Sequence, residues 1–421
     1  MIQVRTALRV MPAAWFALPI TILAAWYATL MPAPPGYGTA ATAAASGALP
    51  FIGAFVAATA AWEGSRLRRS GIWGGPWARS RLHIAAGLLS GPVIAGLVAT
   101  TAAIVVSHAA AAAFPPDLAI VGVITVDILA YASVGFALGI LAPSALAVPA
   151  AAILPILWLA FVPAMYPIWL RHLTGMYRDC CSLEQSLAPQ AVFASVAMNL
   201  AFIEIAAVAC VTTRPRIWRA LGIGAVLTAA VLFSVRVASG LTFAPVMPRD
   251  ASLLSCESKE GVRVCLWPEH ATASAQLLSA ITTVRERWID AGIDAPTTFT
   301  EAWGGRATGA IEVHLPDPIS NDGVIMALAR GRLPPVPDCG RATTGAMAIP
   351  YLQAWYAAAG GLSPTALQAL DEPGDDVNPS ILGAVDQLAR AEASVRRAWE
   401  AKAAAIGQTC EDIAPDLRVG E

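Results

Sequence analysis

Three ionisable residues stand inside long apolar stretches of the sequence and are the first candidates for chemistry: Asp127, Glu204 and Arg236. A charge at membrane depth costs about 2.5 to 3.5 kcal/mol on insertion scales, so such a side chain usually faces protein or water. One interpretation is an Asp127 and Arg236 pair that controls a pathway, with Glu204 lining it nearer the inner side. The other is structural: an ion pair for Asp127, snorkelling for Arg236, and a hydrogen bond between helices for Glu204.

A second candidate is the segment from Cys265 to His270, in which Glu269 and His270 are adjacent. With His314 and Asp317 further along the chain, these residue types suit a hydrolase or a metal site. The sequence contains neither an H-E-x-x-H helix nor a G-x-S-x-G turn. We therefore expect no catalytic residue and no metal here, with Glu269 and His270 at the start of the following helix and Trp267 as a core anchor.

Phosphate chemistry is limited by the lysine content. The only two lysines are Lys259 and Lys402, and neither follows a glycine. A Walker A loop needs Gly-Lys followed by Ser or Thr to hold nucleotide phosphates. The chain is therefore not expected to be an enzyme or to carry a cofactor, and any ATP that it uses is hydrolysed by another subunit.

The elements that position these residues are membrane helices. Hydrophobic residues make up 57% of the 421 residues and charged residues only 13%, against about 25% charged in an ordinary soluble domain. About 20 consecutive apolar residues are needed to span a bilayer. Seven stretches meet this requirement, near Pro12 to Leu30, Ala40 to Trp62, Leu82 to Ser107, Leu118 to Leu141, Ala145 to Leu170, Gln190 to Val211 and Ala220 to Leu241.

The charge pattern predicts an orientation for these helices. Residues 1–241 carry 13 Arg and 6 acidic residues, whereas residues 242–421 carry 14 basic and 23 acidic residues, so nucleic-acid binding is disfavoured. Positive residues collect in cytoplasmic loops. A cytoplasmic N-terminus puts ten arginines inside: Arg5, Arg9, Arg66, Arg68, Arg69, Arg79, Arg81, Arg214, Arg216 and Arg219. The expected localisation is the plasma membrane, with the polar tail outside. A cleaved signal peptide is the alternative for the first stretch, although its apolar run is long for one.

Two domains are therefore predicted: a transmembrane domain over residues 1–245 and an extracytoplasmic α+β domain over residues 246–421. In the tail, Ala273 to Ala291 and Ser380 to Ile406 place apolar residues at helical spacing. Thr297 to Trp303 and Ala310 to Leu315 are typical of short strands. We expect the helical faces to pack on the domain's own core; a groove for a partner is the alternative.

Six of the seven cysteines fall outside the membrane in this orientation, where disulfides form. Cys256 and Cys265 flank a short hairpin-like segment, and we expect them to pair, with Cys339 and Cys410 as a second pair. Adjacent Cys180 and Cys181 would form a strained ring, so separate partners or free thiols remain open for them. Zinc is disfavoured because no C-x-x-C pair occurs.

The loop from Trp62 to Arg81 combines arginines with tryptophans and glycines. Such loops set topology and meet anionic headgroups of the lipid bilayer. Its aromatic residues also suggest a folded surface on which a cytoplasmic subunit docks. The candidate docking residues are Glu63, Arg66, Arg68, Arg69, Trp73 and Trp77.

The arrangement resembles membrane subunits of ATP-binding-cassette (ABC) transporters, of the exporter-type permease class found in GC-rich Gram-positive bacteria. The similar segments cover the chain loosely and are Trp62 to Arg69 with Ala78 to Arg81, Trp169 to Gly175 with Cys180 and Cys181, and Val264 to His270. The resemblance implies a permease-like subunit that pairs with a separate ABC-type ATPase through the loop after the second span. A second permease subunit or a homodimer is a further implied partner.

This chain departs from the usual six-span pattern by a seventh span and a large outer domain, so a sensing or regulatory role is an alternative to direct transport. The leading expectation is a permease-like subunit of an ABC export system. The alternatives are a membrane-anchored sensor or binding protein without transport activity, and a membrane-anchored enzyme.

Overall fold

The chain folds into two compact units, Met1–Met247 and Pro248–Glu421. The computed structural model describes residues 12–71, 73, 80–178, 180–211, 216–305, 309–335, 348–369, 379–410 and 417. Each unit has its own hydrophobic core. The first unit is built of long apolar helices, and the second combines shorter helices with a small sheet. The predicted fold class, a helical membrane part followed by a domain of helices and strands, is therefore confirmed.

Among the described residues of the first unit, six segments are long and apolar enough to cross a membrane: Gly38–Arg69, Arg81–Ala111, Leu118–Leu141, Ser144–Ala164, Pro189–Cys210 and Ala220–Ala238. The first predicted span is a shorter apolar helix of 17 residues. The helices are α1 (Pro12–Ala28), α2 (Gly38–Ala45), α3 (Leu49–Arg69), α4 (Arg81–Ala111), α5 (Leu118–Leu141), α6 (Ser144–Ala160), α7 (Pro189–Val211) and α8 (Arg216–Ala238). The 3-10 turn Ser46–Ala48 joins α2 to α3.

The fifth predicted span differs most from the structure. It was expected to reach Leu170, but α6 ends at Ala160, and Trp169 and Leu170 lie in a separate 3-10 segment, Ile168–Leu173. Pro163 and Pro167 lie between these elements. A proline has no N–H for the helical hydrogen-bond ladder and its ring clashes with the preceding turn. Pro149 and Pro155 lie inside α6 without ending it, whereas Pro163, just beyond the last residue of α6, coincides with the change to 3-10 geometry in Val162–Ala164.

Helices α3 and α5 approach each other through small residues. A Cβ atom on Gly135 would overlap the carbonyl oxygen of Ala57, and one on Gly139 would overlap that of Ala61. The Ser65 hydroxyl also donates to the carbonyl oxygen of Gly139 at 3.3 Å. Small residues allow backbones to pack closely in membranes, where the hydrophobic effect does not drive helices together. This contact fixes α5 against α3 over several turns.

The second unit carries a four-stranded sheet, whose strands lie side by side in the order in which they follow one another along the chain. Strands β3 (Ser255–Lys259) and β4 (Val262–Leu266) form an antiparallel hairpin, and β5 (Thr298–Thr300) and β6 (Ile311–Glu312) add in parallel. A separate two-stranded sheet contains β1 (Gln185–Leu187) and β2 (Val246–Pro248). The helices of the unit are α9 (Ser274–Asp290), α10 (Asn321–Arg332), α11 (Ala348–Ala359), α12 (Pro364–Ala369), α13 (Pro379–Arg390) and α14 (Ala393–Gly407).

The apolar stripes predicted in the tail face the core of the second unit, which confirms the expected packing. The stripe of α9 is buried through Leu277, Ile281, Val284 and Trp288. The single helix predicted over Ser380 to Ile406 is instead two helices, α13 and α14, with a break before Ala393. Glu392, which interrupts the apolar stripe, stands at this break and precedes the first turn of α14. The polar interruption therefore marks a helix boundary.

Candidate functional site

The first candidate site is the basic segment, which we define as residues Glu63 to Arg69 together with Trp73 and Arg81. The Glu63 side chain is buried and accepts hydrogen bonds from Nη1 of Arg66 at 3.0 and 3.2 Å. Arg68 and Arg69 are exposed. Trp77 lies outside the described residues. The buried carboxylate thus neutralises one arginine, while the next two present positive charge at the surface.

Trp73 ties the basic segment to two other helices. Its indole N–H donates to the carbonyl oxygen of Cys210, at the end of α7, over 3.2 Å. Its ring packs edge to face on Phe136 of α5, with centroids 5.7 Å apart. The guanidinium of Arg81 lies 5.7 Å from the Trp73 ring centroid. An aromatic residue predicted only as a surface contact is therefore an anchor between helices.

Arg69 makes a further link, to the start of α6. Its Nη1 donates to the Ser144 hydroxyl at 3.3 Å, and its guanidinium lies 5.9 Å from the Trp62 ring centroid. The basic segment of α3 and α4 therefore contacts the ends of α5, α6 and α7. A movement of this segment would therefore act directly on three other helices, α5, α6 and α7.

The second candidate site is the polar cluster, which we define as Asp127, Tyr131, Tyr177, Ser195 and Asn199. Asp127 is completely buried in α5. Its Oδ1 accepts a hydrogen bond of 2.5 Å from the Asn199 amide of α7, and its Oδ2 has no partner. The same Asn199 amide donates to the backbone carbonyl of Ser195 at 2.9 Å. The hydrogen-bond donor to this carboxyl group is thus an uncharged amide.

The loop before β1 covers the Asp127 carboxyl group. Gly175 has a φ of +74°, and a Cβ atom on it would overlap the Asp127 carboxylate. The Tyr177 hydroxyl lies 2.6 Å from the Ser195 hydroxyl, and the Tyr177 N–H donates to the Ser46 hydroxyl at 2.9 Å. Burial raises the pKa of Tyr177 well above its ordinary value; the Ser195 hydrogen bond opposes this shift, and the nearby Asp127 charge adds to it. The hydroxyl therefore stays protonated and polar.

Tyr131 completes the polar cluster one helical turn after Asp127. Its hydroxyl is buried and has no hydrogen-bond partner, as is also true of Oδ1 of Asn199. Buried polar atoms are nearly always paired, so each unpaired atom needs an explanation. The cluster therefore has unused capacity for hydrogen bonds with water or with another polar group.

The predicted pair of Asp127 and Arg236 does not form. Arg236 is exposed near the end of α8, and none of the ion pairs found in the described part of the chain joins it to Asp127. The partner of Asp127 is the neutral Asn199 instead. Glu204 is also exposed, on the outer face of α7, and does not lie between helices. Sequence reasoning missed Asn199 and Tyr177 because uncharged polar residues are common enough in membrane helices and loops not to stand out.

Glu269 and His270 do not begin the helix that follows them but lie in the 3-10 turn Pro268–Ala273. Glu269 forms a bidentate pair with Arg249, at 2.9 and 3.1 Å. Nδ1 of His270 lies 2.6 Å from the buried carboxylate of Glu301. The same carboxylate accepts a 2.8 Å hydrogen bond from the backbone N–H of Trp267. Trp267 is fully buried, as predicted. Side-chain pairing, rather than the helix dipole, thus satisfies both residues.

The charged neighbours of His270 outweigh its burial. Burial lowers the pKa of His270, but the hydrogen bond and charge of Glu301, with the charges of Glu269 and Asp317, raise it above the ordinary value overall. Within the described ranges, His, Cys, Asp and Glu form no group of three that could hold a metal ion. The arrangement stabilises the turn and gives the second unit a titratable buried pair.

The cysteines form several pairs. Cys256 and Cys265, directly opposite each other in the β3–β4 hairpin, are joined as the sequence predicts. Cys410 is disulfide-bonded, and its predicted partner, Cys339, lies outside the described residues. Cys180 and Cys181 are joined to each other, the arrangement that we considered strained. Cys210 is buried and is not joined in a disulfide.

Comparisons with known proteins concern the second unit. Residues 264–410 match a family described as "Domain of unknown function (DUF7224)". No curated protein and no solved structure matches the chain. The matched range begins in β4 and includes α9 to α14, so it covers most of the second unit and none of the membrane helices.

Proposed function

We propose that the chain is the permease-like transmembrane subunit of an ABC export system in the plasma membrane. A separate ATPase subunit docks on the basic segment and hydrolyses ATP. Six membrane-length helices support a membrane role. The two lysines, neither of which follows a glycine, support the assignment of ATP hydrolysis to a partner.

The contacts of the basic segment carry this proposal. Trp73 binds the end of α7 and packs on Phe136 of α5, and Arg69 reaches the start of α6. Phe136 lies nine residues beyond Asp127 on α5, about 14 Å along the helix at 1.5 Å per residue. One rigid helix thus connects the docking segment to the polar cluster. An ATPase that moves the segment would change the packing around Asp127.

The ends of the helices support the proposed orientation. The end of α3, the start of α4, and the ends of α5 and α7 meet at the basic segment. At the opposite ends, the Asp117 N–H before α5 donates to Thr42 of α2 at 3.0 Å, and Thr42 lies 2.9 Å from His108 of α4. With the arginine-rich side in the cytoplasm, α8 ends outside. The second unit then lies outside the cell.

The docking proposal is tested by purifying the full-length protein from its native membrane in mild detergent, with mass spectrometry and an ATPase assay. The test variant replaces both Arg68 and Arg69 by Ala, because these arginines are exposed. The control replaces Arg390 and Lys402, two exposed basic residues of the second unit, by Ala. Recovery of an ABC ATPase that only the first variant loses supports the proposal. Intact protein without any ATPase in several detergents contradicts it.

We also propose a neighbouring membrane subunit, either a second permease or a second copy of this chain. Glu204 is exposed on α7, near Leu200, which is also exposed. A carboxylate that faces lipid is costly, so a neighbouring helix that hydrogen-bonds to it lowers the free energy. Cysteine cross-linking from Leu200→Cys in native membranes, which leaves the Glu204 carboxylate in place, tests this contact. Cross-linked products are expected and should decrease when Glu204→Gln is added, and their absence from Leu200→Cys contradicts the assignment.

The second candidate function is a membrane-anchored sensor that uses its extracytoplasmic domain without transport. A cavity of about 590 Å³ in the second unit favours it. Absence of an ATPase together with a stable complex with a signalling protein or a cell-wall component would support the sensor.

A further inference from the structure

The second unit contains a cavity of about 590 Å³ at which three arginines from different helices meet. Arg285 comes from α9, Arg332 from the end of α10 and Arg397 from α14. Two carboxylates, Asp294 and Glu400, also line this arginine cavity, so its charged lining is positive by one. Ile289 and Ile293 give part of its wall an apolar character.

Arg332 is held in place and still has an unused donor. Its Nη2 donates to Glu400 at 3.3 Å, and its guanidinium carbon lies 5.1 Å from the Tyr356 ring centroid and 5.8 Å from that of Trp288. Its Nε is buried without a hydrogen-bond partner. A buried donor without an acceptor costs free energy, which a small movement of the Arg332 side chain toward an anion in the cavity would recover.

Glu400 is already engaged by two donors. Its Oε1 accepts from Arg332 and from the Tyr356 hydroxyl, the latter at 2.7 Å. Burial raises the pKa of Tyr356, and the neighbouring Glu400 raises it further, so that this hydroxyl remains a donor. Glu400 and Arg332 therefore neutralise each other. The charged side chains that remain in the lining are Arg285, Arg397 and Asp294, and their net charge is again plus one.

The other two arginines differ in how tightly they are held. Nε of Arg285 donates to the backbone carbonyl of Pro296 at 3.1 Å, which orients its guanidinium at the cavity. Arg397 is exposed. The cavity thus combines two arginines fixed by protein contacts with a third that is free to adjust to a ligand.

We propose that the arginine cavity binds the phosphate group of an anionic ligand whose apolar part lies on Ile289 and Ile293. A tetrahedral phosphate has oxygens that face several directions and can meet guanidinium groups from three helices, whereas the two oxygens of a carboxylate lie in one plane. The phosphate belongs either to a soluble phosphorylated molecule or to a lipid headgroup. This binding does not depend on an ATPase partner.

The test uses the full-length protein in nanodiscs of phosphatidylcholine. Titration with inorganic phosphate and with glycerol 3-phosphate is followed by calorimetry, and a second preparation contains phosphatidic acid in the bilayer. Hydrogen exchange locates the site, with slower exchange expected in residues 285–295 and 393–404. Saturable binding of the soluble probes indicates a soluble ligand. The same protection with phosphatidic acid alone indicates a lipid headgroup.

Variants make the test specific. Arg397→Gln is exposed and keeps the fold, so we expect it to weaken binding about tenfold or more, the effect of losing one charge-assisted hydrogen bond. Arg285→Gln should act in the same direction. The control is Arg390→Gln, an exposed arginine that pairs with Asp386 one turn away on α13. No saturable binding and no protection with any probe overturns the proposal, as does an equal loss in the control.

Discussion

The Asn199 amide donates a 2.5 Å hydrogen bond to one oxygen of Asp127, while the other oxygen of Asp127 has no partner. The two residues lie on different helices, α7 and α5, and both are completely buried. A carboxyl group at membrane depth is thus held by a neutral amide and not by the arginine that the sequence suggested.

Loss of the Asn199 amide should destabilise the membrane unit. In Asn199→Ala, Asp127 loses its hydrogen-bond donor, and we expect the free energy of unfolding to fall by about 1 to 3 kcal/mol, the cost of leaving a buried polar group unpaired. Thermal unfolding in detergent measures the change. The matched control is Ser133→Ala on α5, whose exposed hydroxyl bonds only the preceding turn. An equal shift in both variants would contradict the role of Asn199.

Gly175 should tolerate no side chain. It has a φ of +74°, and its position against Asp127 leaves no room for a Cβ atom. Gly175→Ala should therefore lower the unfolding temperature, since a left-handed non-glycine residue alone costs about 1 to 3 kcal/mol. Gly224→Ala in α8, with open space around it, is the control and should be neutral or slightly stabilising.

A substitution of Trp73 should distinguish binding of the ATPase from transmission of its movement to the membrane helices. Trp73→Phe keeps a ring against Phe136 but removes the N–H that binds the Cys210 carbonyl. We expect the ATPase to co-purify normally while its stimulation by the membrane subunit falls about 2- to 10-fold, the effect of one hydrogen bond worth about 0.5 to 1.5 kcal/mol. The ATPase assay on the purified complex measures this. Loss of co-purification would instead show that the ATPase contacts Trp73 directly, and would contradict the role of Trp73 as an anchor between helices only.

The stability of the second unit should depend on the protonation of His270. Its pKa is raised in the folded state because the stabilising effect of Glu301, Glu269 and Asp317 exceeds the effect of burial. The contribution of protonated His270 to the free energy of unfolding is therefore fully present below the pKa of about 6.5 that His270 has in the unfolded chain. It is lost as the pH rises through the higher pKa of the folded state. Hydrogen exchange of peptides around β4 and β5, measured against pH, should show this loss. His270→Gln should remove this part of the pH dependence, and an unchanged profile in that variant would assign it elsewhere.

The orientation can be tested with a membrane-impermeant maleimide on intact cells. Lys402 is exposed in the second unit and Arg68 is exposed at the end of α3. In the proposed orientation Lys402→Cys is labelled from outside and Arg68→Cys only after the cells are opened. The wild-type chain gives the background from native cysteines. Labelling in the reverse order would place the second unit in the cytoplasm.

The sequence by itself determined the apolar segments, the change of composition near residue 245, the buried face of α9 and the pairing of Cys256 with Cys265. These features are local: span length, helical periodicity and a short hairpin are all visible within about 20 residues. Even here the prolines after α6 and Glu392 before α14 shifted boundaries that apolarity alone did not mark.

Only the tertiary structure decided which residues of neighbouring helices contact each other. Membrane helices that are apolar on every side carry no periodic signal for the face that turns inward, so the sequence did not reveal that Asn199, 72 positions from Asp127, would be its partner. For the same reason the sequence left Arg236 open between a pair with Asp127 and snorkelling, and placed Glu204 on a pathway or between helices; both residues are exposed. The convergence of Arg285, Arg332 and Arg397 on one cavity likewise depends on how three helices pack, since residues on separate elements meet only after each element buries its apolar face.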